Sequence, residues 1–433
     1  MTKWQWLVTQ TARRLWVRAT LIGALGILAA LFATIAERFI PWPVPGAIGS
    51  EAVGSLLTII ASSMLAVTTF SLNIMVSAYG SATTNATPRA TKLLIEDRLT
   101  QNVLASFLGS FLFSIVGLIV LHAGAYGERG RAVLFFTTIA VIAMVVISLI
   151  RWIDHLTKLG RLGEITTRVE NASRAAIEAR LREPYLGGFA WLDRPENLPP
   201  ETIAVPLRKI GYVQHIDMSA LSRFCETHDA DLYVKAMPGT FVHLQMPLVW
   251  ITGLEAGTDV AEVSETICNA FSIGDERSYD QDPRFGLAVM SEIGSRALSP
   301  ATNDPGTAID VIGRQTRLLS LWAQGAPERE RQEPVAHGRV HVHPIDPSDL
   351  FEDSFMLMAR DGAGLIEVQL RIQKALLALS QIGDKAFRNA ALYQSSLAIA
   401  RSEAAMTLED DKQRLRTFLT SRQDAEMLSC TQS

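Results

Sequence analysis

The sequence predicts an α-helical membrane protein with four transmembrane helices. It also predicts a mixed α/β cytoplasmic region that includes a small barrel-sandwich-like β module. Three observations carry this. Four apolar segments, roughly 19–35, 55–79, 103–121 and 132–150, each approach the length that crosses a hydrocarbon core. Lys and Arg alternate in density between the loops that join them. Beyond residue 150 the chain turns polar, passes through short alternating strands and then reads as amphipathic helix.

Composition agrees. The chain has 433 residues, is 48% hydrophobic and carries a formal net charge of −4. It is too long for one compact domain and too apolar for a wholly soluble enzyme. Its charge argues against a nucleic-acid partner. Cys225, Cys268 and Cys430 are widely spaced and form no CxxC, so they suit a reducing compartment and make no thiolate zinc site.

Residues 1–18 mix Trp4, Trp6, Leu7, Leu15, Trp16 and Val17 with basic residues, an interfacial pattern. The first span follows Arg13, Arg14 and Arg18 but leads into Ala36–Glu37–Arg38 and PWPVP, a poor cleavage site, so it stays uncleaved. Only Arg38 lies between spans 1 and 2, whereas Arg89, Lys92 and Arg98 lie between spans 2 and 3. Arg129 and Arg131 separate spans 3 and 4, and Arg151, Lys158, Arg161 and Arg168 follow span 4. This asymmetry places both termini in the cytoplasm, with the Pro41–Pro45 loop and the Gly124–Gly130 turn outside. Pro88 breaks any straight continuation of span 2.

The predicted division is 1–155 transmembrane, 156–200 connecting helix and linker, 201–256 barrel-sandwich-like, 257–422 mostly helical, and 423–433 tail. Residues 151–182 read as a polar helix continuing span 4, ended by Glu183–Pro184 and a Gly-Gly turn. GYVQHID is a strand and MSALSRFCETHD a helix. DLYVKAMPGTFVHLQMPLVWITG reads strand, Pro-Gly turn, strand, turn, strand. This resembles a biotinyl/lipoyl-like module, but the tip lysine of the carrier form is missing, so the module is structural. Residues 259–271, 283–298 and 307–324 are helices, the stretch 325–337 is a charged loop, and GRVHVHPI is a strand. Two or three amphipathic helices follow from Asp349 to Arg422, with Gly362, Gly364 and Gly383 as breaks.

Span 2 carries the most informative pattern. Ser62, Ala66, Thr69, Asn73 and Ser77 recur at steps of three or four and share one helical face. Small polar residues let helices approach and hydrogen-bond within a bundle. The same residues could instead line a pore, with Asn73 contributing to a ring of neutral dipoles in a symmetric oligomer. On span 3, Ser106, Gly109, Ser110 and Ser114 form a small-residue face that could pack against span 2. No span carries a mid-depth Asp, Glu, Lys or Arg, which argues against coupled transport.

The densest polar cluster is Asp280, Asp282, Arg284, Glu292, Arg296, Asn303 and Asp304. Asp282–Pro283 and Asp304–Pro305 can each start a helix, the Asp accepting amide donors and Pro occupying the first turn. Glu292 and Arg296 stand one turn apart and can pair. The alternative is a carboxylate or arginine site for an ion. DQDPRFGLAVMSEIGSRALSPATNDPGTAID is similar to the signature of a widespread bacterial family of predicted membrane proteins, a domain of unknown function with an ALSP-x-x-NDP motif. Phe70, Ser71, Pro88 and Arg89 resemble that family's second motif, although Tyr79–Thr87 departs from its usual form. The resemblance implies an inner-membrane protein with a large cytoplasmic region and implies no activity.

His337, His341 and His343 are the one metal-like grouping, the last two on the same face of a strand. A solvated strand end explains them, so no metal and no cofactor is expected. No phosphate-binding loop, zinc-protease helix or nucleophile elbow is present, and no catalytic residue can be named. Beyond the lipid bilayer, the expected partner is a second copy of the chain. Two functional readings follow: a homo-oligomeric channel lined by span 2, or a non-conducting scaffold or sensor that binds a partner near Asp282–Asp304.

Overall fold

The computed structural model describes residues 2–36, 49–191, 198–199, 201–206, 209–255, 257–325 and 335–430, the last ten as backbone. The Pro41–Pro45 loop with Arg38, most of the charged stretch 325–337 and the last three residues of the tail lie outside them. The chain divides into two compact units. One comprises Leu7–Thr84 and Pro88–Ile165; the other comprises Met1–Trp6, Asn85–Thr87 and Thr166–Ser433.

The first unit is all helix. It holds most of α1 (Lys3–Ala12), then α2 (Leu15–Ala36), α3 (Ser50–Asn85), α4 (Pro88–Ile95), α5 (Arg98–His122) and α6 (Glu128–Leu156). By length and composition α2, α3, α5 and α6 can each cross a membrane. Each extends past its predicted span, because polar ends continue an apolar helix without breaking its hydrogen-bond ladder. Pro88 opens α4 just after α3 ends, as a residue with fixed φ and no N–H requires.

Small residues set the closest packing. A Cβ on Gly26 of α2 would stand 2.5 Å from the Gly109 carbonyl oxygen of α5, and one on Gly109 would stand 3.0 Å from the Ile22 carbonyl oxygen. Span 3 thus meets span 1 through Gly109, and a Cβ on Gly117 of the same helix would lie 3.3 Å from Leu57 of α3. Glycine is needed at positions 26 and 109 because only bare backbone fits. α3 packs by a different face, with Val53 and Leu57 beside Phe113 and Leu134, and Ile60 and Met64 beside Val103, Phe107 and Val145.

Asp97 caps α5, its side chain accepting from Thr100 N at 2.8 Å. The same carboxylate lies 3.0 Å from His155 Nε2 near the end of α6, tying two helix ends together. The polar helix that follows does not continue span 4. α6 stops at Leu156, a turn through Gly160 at φ +78° intervenes, and α7 (Leu162–Arg182) begins anew. Gly160 approaches Ala78 so closely that a Cβ would lie 3.3 Å from the alanine's own.

The second unit is mixed α/β. Its strands are β1 (Phe189–Ala190), β2 (Ile203–Pro206), β3 (Gly211–Ile216), β4 (Asp231–Val234), β5 (Phe241–Val242), β6 (Pro247–Thr252), β7 (Phe271–Gly274) and β8 (Val340–Val342). Its helices are α7, α8 (Met218–His228), α9 (Val260–Ala270), α10 (Pro283–Ala297), α11 (Pro305–Gln324), α12 (Pro347–Asp361), α13 (Ile366–Leu379), α14 (Lys385–Ala405) and α15 (Glu409–Cys430).

The strands corrected the expected module. They form no closed barrel. One open sheet has the order β1-β8-β4-β6-β2, with β8 parallel to both its neighbours and the other pairs antiparallel. A second, antiparallel sheet has the order β5-β3-β7. The strand–turn–strand pattern of residues 231–252 was legible, but half of it pairs with strands from far along the chain. Val205, Leu232, Val234, Val249, Ile251, Val340 and Val342 of the first sheet share one core with Val213, Ile216 and Val242 of the second and with Leu221, Phe224, Val263 and Ile267 of α8 and α9. After Pro347 the chain makes four helices, not two or three, because a break at residues 406–408 adds to those at the glycines.

Candidate functional site

Two groups of residues stood out in the sequence, and the structure treats them differently. In the first unit, Ser62, Ala66, Thr69, Asn73 and Ser77 are all exposed on α3. The buried residues of this helix are Val53, Leu57, Ile60, Ala61, Met64, Ser71, Met75 and Ala82. At 3.6 residues per turn the two sets lie on opposite sides of the helix. The stripe therefore lies on the side of α3 away from the residues that helix buries.

Two hydroxyls in the stripe, those of Ser62 and Thr69, satisfy themselves locally. Ser62 Oγ donates to the Thr58 carbonyl at 3.0 Å, and Thr69 Oγ1 donates to the Leu65 carbonyl at 3.0 Å. Asn73 makes no such bond, although its carboxamide carries two donors and an acceptor. Among the described residues its side chain has no hydrogen-bond partner, and it points away from the bundle's buried side.

In the second unit the signature residues are engaged in architecture. Asp282, 2% exposed, caps α10 by accepting from the backbone N–H groups of Arg284 and Phe285, each at 3.2 Å. It also accepts both branches of the Arg277 guanidinium, at 2.7 and 3.0 Å. Gly239, at φ +93° in the Pro-Gly turn, lets the backbone approach this pair; a Cβ there would sit 2.2 Å from Asp282 Oδ2. Arg284 Nε donates to Asp353 Oδ2 at 2.7 Å, and Nη1 pairs with Asp349, linking α10 to α12. Asp304 caps α11 through Thr307 N at 3.0 Å and Thr307 Oγ1 at 2.6 Å, and those bonds hold its carboxyl below the usual range.

Asp280 accepts from Trp6 Nε1 at 2.9 Å and from Ser278 Oγ at 3.0 Å. Glu292 accepts from Thr87 Oγ1 at 2.8 Å. Arg296 and Asn303 are exposed, and Asn303 takes a left-handed φ of +46° in the turn between α10 and α11. The signature thus holds two helix starts in place and, through Arg284, two ion pairs between α10 and α12.

Sequence reasoning missed the partners that act at long range. Arg277 and the fully buried Arg180 belong to the surroundings of Asp282; Arg180 donates to the Gln281 carbonyl at 3.0 Å, and burial lowers its pKa to about 10. Glu170 of α7 accepts from Arg314 at 2.8 Å and from Arg317 at 2.9 Å, both on α11. Burial pushes this carboxyl up, but the two guanidiniums outweigh it and hold it below the ordinary range. No local signal announces the pairs of Arg180 and Glu170, which join residues more than 100 apart, whereas Arg277 stands only five residues before Asp282. Asp217, which caps α8 through Ala220 N at 2.9 Å, could have been read from its place before MSALSRF.

The three histidines do not converge. His341 stacks on Tyr233 with centroids 4.6 Å apart, and His343 stacks on Trp191 at 4.1 Å. His337 sits against Gly187. Among the described residues no group of three or more His, Cys, Asp or Glu side chains could hold a metal ion. Asp346, three residues after His343, caps α12 through Ser348 N at 2.8 Å.

The chain is similar to uncharacterized proteins of Mycobacterium tuberculosis and Mycobacterium bovis. Each is 25% identical over 287 residues, which cover 64% of this chain and 54% of the relative. The chain thus spans about half the length of the curated relatives it matches. No solved structure matches it. A family model described as a predicted membrane protein matches residues 12–378, which take in the four membrane-length helices and the whole signature. The chain belongs to this family, DUF2254.

Proposed function

We propose that this protein is a homo-oligomeric inner-membrane channel in which α3 lines the pathway and the α/β unit assembles or gates it. The observation that carries the reading is Asn73. It lies in the uncharged apolar stretch 55–79 of α3, opposite the face that packs, with its carboxamide unpartnered. Leaving such a group in hydrocarbon costs roughly 2–7 kcal/mol, so it needs water or a second copy of itself. An oligomer with α3 around an axis supplies both. The flanking Ser62, Thr69 and Ser77 extend the polar line by several turns on the same side.

The Lys and Arg distribution supports both termini on the cytoplasmic side. The absence of a mid-span charge suits passive, weakly selective conduction more than coupled transport. The scaffold or sensor reading draws less support, because Asp282, Asp304 and Arg284 are engaged in caps and ion pairs. No catalytic role is part of this proposal.

The test is electrical. Purified protein in planar bilayers should conduct, and Asn73→Leu should lower the current while Asn73→Asp shifts its preference toward cations. Silence across several ions, or currents indifferent to both substitutions, would refute the channel.

A further inference from the structure

The sheet β5-β3-β7 buries two polar side chains that find no partner. His215 is 1% exposed, and neither of its ring nitrogens is hydrogen-bonded. Ser272 stands opposite it in the β3–β7 register and has an unpartnered buried hydroxyl. What covers His215 is the first turn of α1. The Trp6 ring stacks on the imidazole with centroids 5.3 Å apart and planes at 20°.

That turn is held at four further points. The Lys3 backbone N–H donates to Asp217 Oδ2 at 2.7 Å. Lys3 Nζ donates to the carbonyls of Asn269 at 2.8 Å and Phe271 at 3.2 Å. Trp6 Nε1 donates to Asp280 Oδ2 at 2.9 Å. Lys3 and Trp6 are three residues apart and so share a helical face, which is why one turn can make all these contacts.

We propose that the first turn of α1 is an acid-releasable latch: docked at neutral pH it seals His215 and Ser272, and protonation of His215 undocks it. The docked state has room only for neutral imidazole. A charged ring would carry two N–H donors with no acceptor, inside a site that excludes water.

The charged groups that act on the ring are Asp217 from the β3–α8 junction, Asp280 from the segment before α10, and Lys3 from α1. The two carboxylates favour the cation, but each is already committed: Asp217 to Lys3 and the α8 cap, Asp280 to Trp6 and Ser278. Lys3 opposes it. The face of Trp6 offers a cation–π contact that returns part of the loss. Burial dominates and lowers the pKa of His215 to about 4. A depressed histidine pKa means that the undocked state binds the proton more readily. The latch is therefore fully held above the ordinary value near 6.5 and weakens as pH falls from there toward 4. This device rests on the α/β unit alone and stands whether or not the protein conducts.

Hydrogen–deuterium exchange on the full-length protein in detergent tests it. Corrected for intrinsic rates, protection of residues 2–7 should fall by at least about tenfold between pH 7 and pH 4.5. His215→Phe keeps a ring for Trp6 to cover but cannot titrate, so its protection should hold across that range. Unchanged protection in the wild type, or an equal fall in His215→Phe, overturns the latch. A second reading does not depend on that variant folding. At pH 7, diethylpyrocarbonate should modify exposed His243 but spare His215 in the wild type, and should reach His215 in Trp6→Ala. Equal modification of His215 in both proteins overturns the seal.

Discussion

Single residues in this protein are constrained by what their backbone must let past. Gly239 is the sharpest case: its φ of +93° and the 2.2 Å that a Cβ would leave to Asp282 both exclude a side chain. Gly239→Ala should destabilise the α/β unit by about 2 kcal/mol or more, from backbone strain plus displacement of the Arg277–Asp282 pair. Thermal unfolding of the full-length protein reads this as a lower Tm with the secondary structure of the folded state retained. The glycine was visible in the sequence as part of a Pro-Gly turn, but its reason was not. The turn could be read from residues 238–239, whereas the carboxylate above it comes from residue 282. The same holds for the signature. That Asp282 and Asp304 would start helices was legible, because capping is a matter of adjacent residues. That Glu170 would take two arginines from α11 was not, since nothing local encodes that meeting.

At the scale of elements, periodicity told which residues share a face but not what the face meets. The α3 stripe was correctly grouped, yet its placement away from the bundle emerged only when Val53, Leu57, Ile60 and Met64 were seen to fill the buried side. The sheet was legible in part for the same reason. β4 and β6 declare themselves by alternation around a turn, but β8 enters between β1 and β4 from a hundred residues away, and β1 is only two residues long. Close packing of α2 on α5 gives an element-scale prediction. Gly26→Val would force the helices apart at the Gly109 carbonyl, and overpacking of this kind costs about 1–3 kcal/mol. A lowered thermal midpoint in detergent, with the α/β unit's own exchange protection unchanged, is the expected outcome. An unchanged midpoint would mean that this contact contributes little.

For the whole molecule, the four membrane-length helices and the family agree on what kind of protein this is, and the α3 stripe gives the reason to propose what it does. α3 has 36 residues and spans about 54 Å, well beyond a hydrocarbon core of about 30 Å. A helix of that length can carry a polar line through the bilayer and out of it. Whether that line meets water is the central question. The most direct measurement places a cysteine at Asn73 in a chain whose own three cysteines are replaced, and applies a membrane-impermeant, charged thiol reagent while current is recorded. Ile147→Cys, exposed on α6 away from the stripe, serves as the lipid-facing control. The expected result is current that falls on modification of Asn73→Cys and stays constant in Ile147→Cys. No current from either protein, or a current that the reagent leaves unchanged at Asn73→Cys, would contradict a pathway lined by α3.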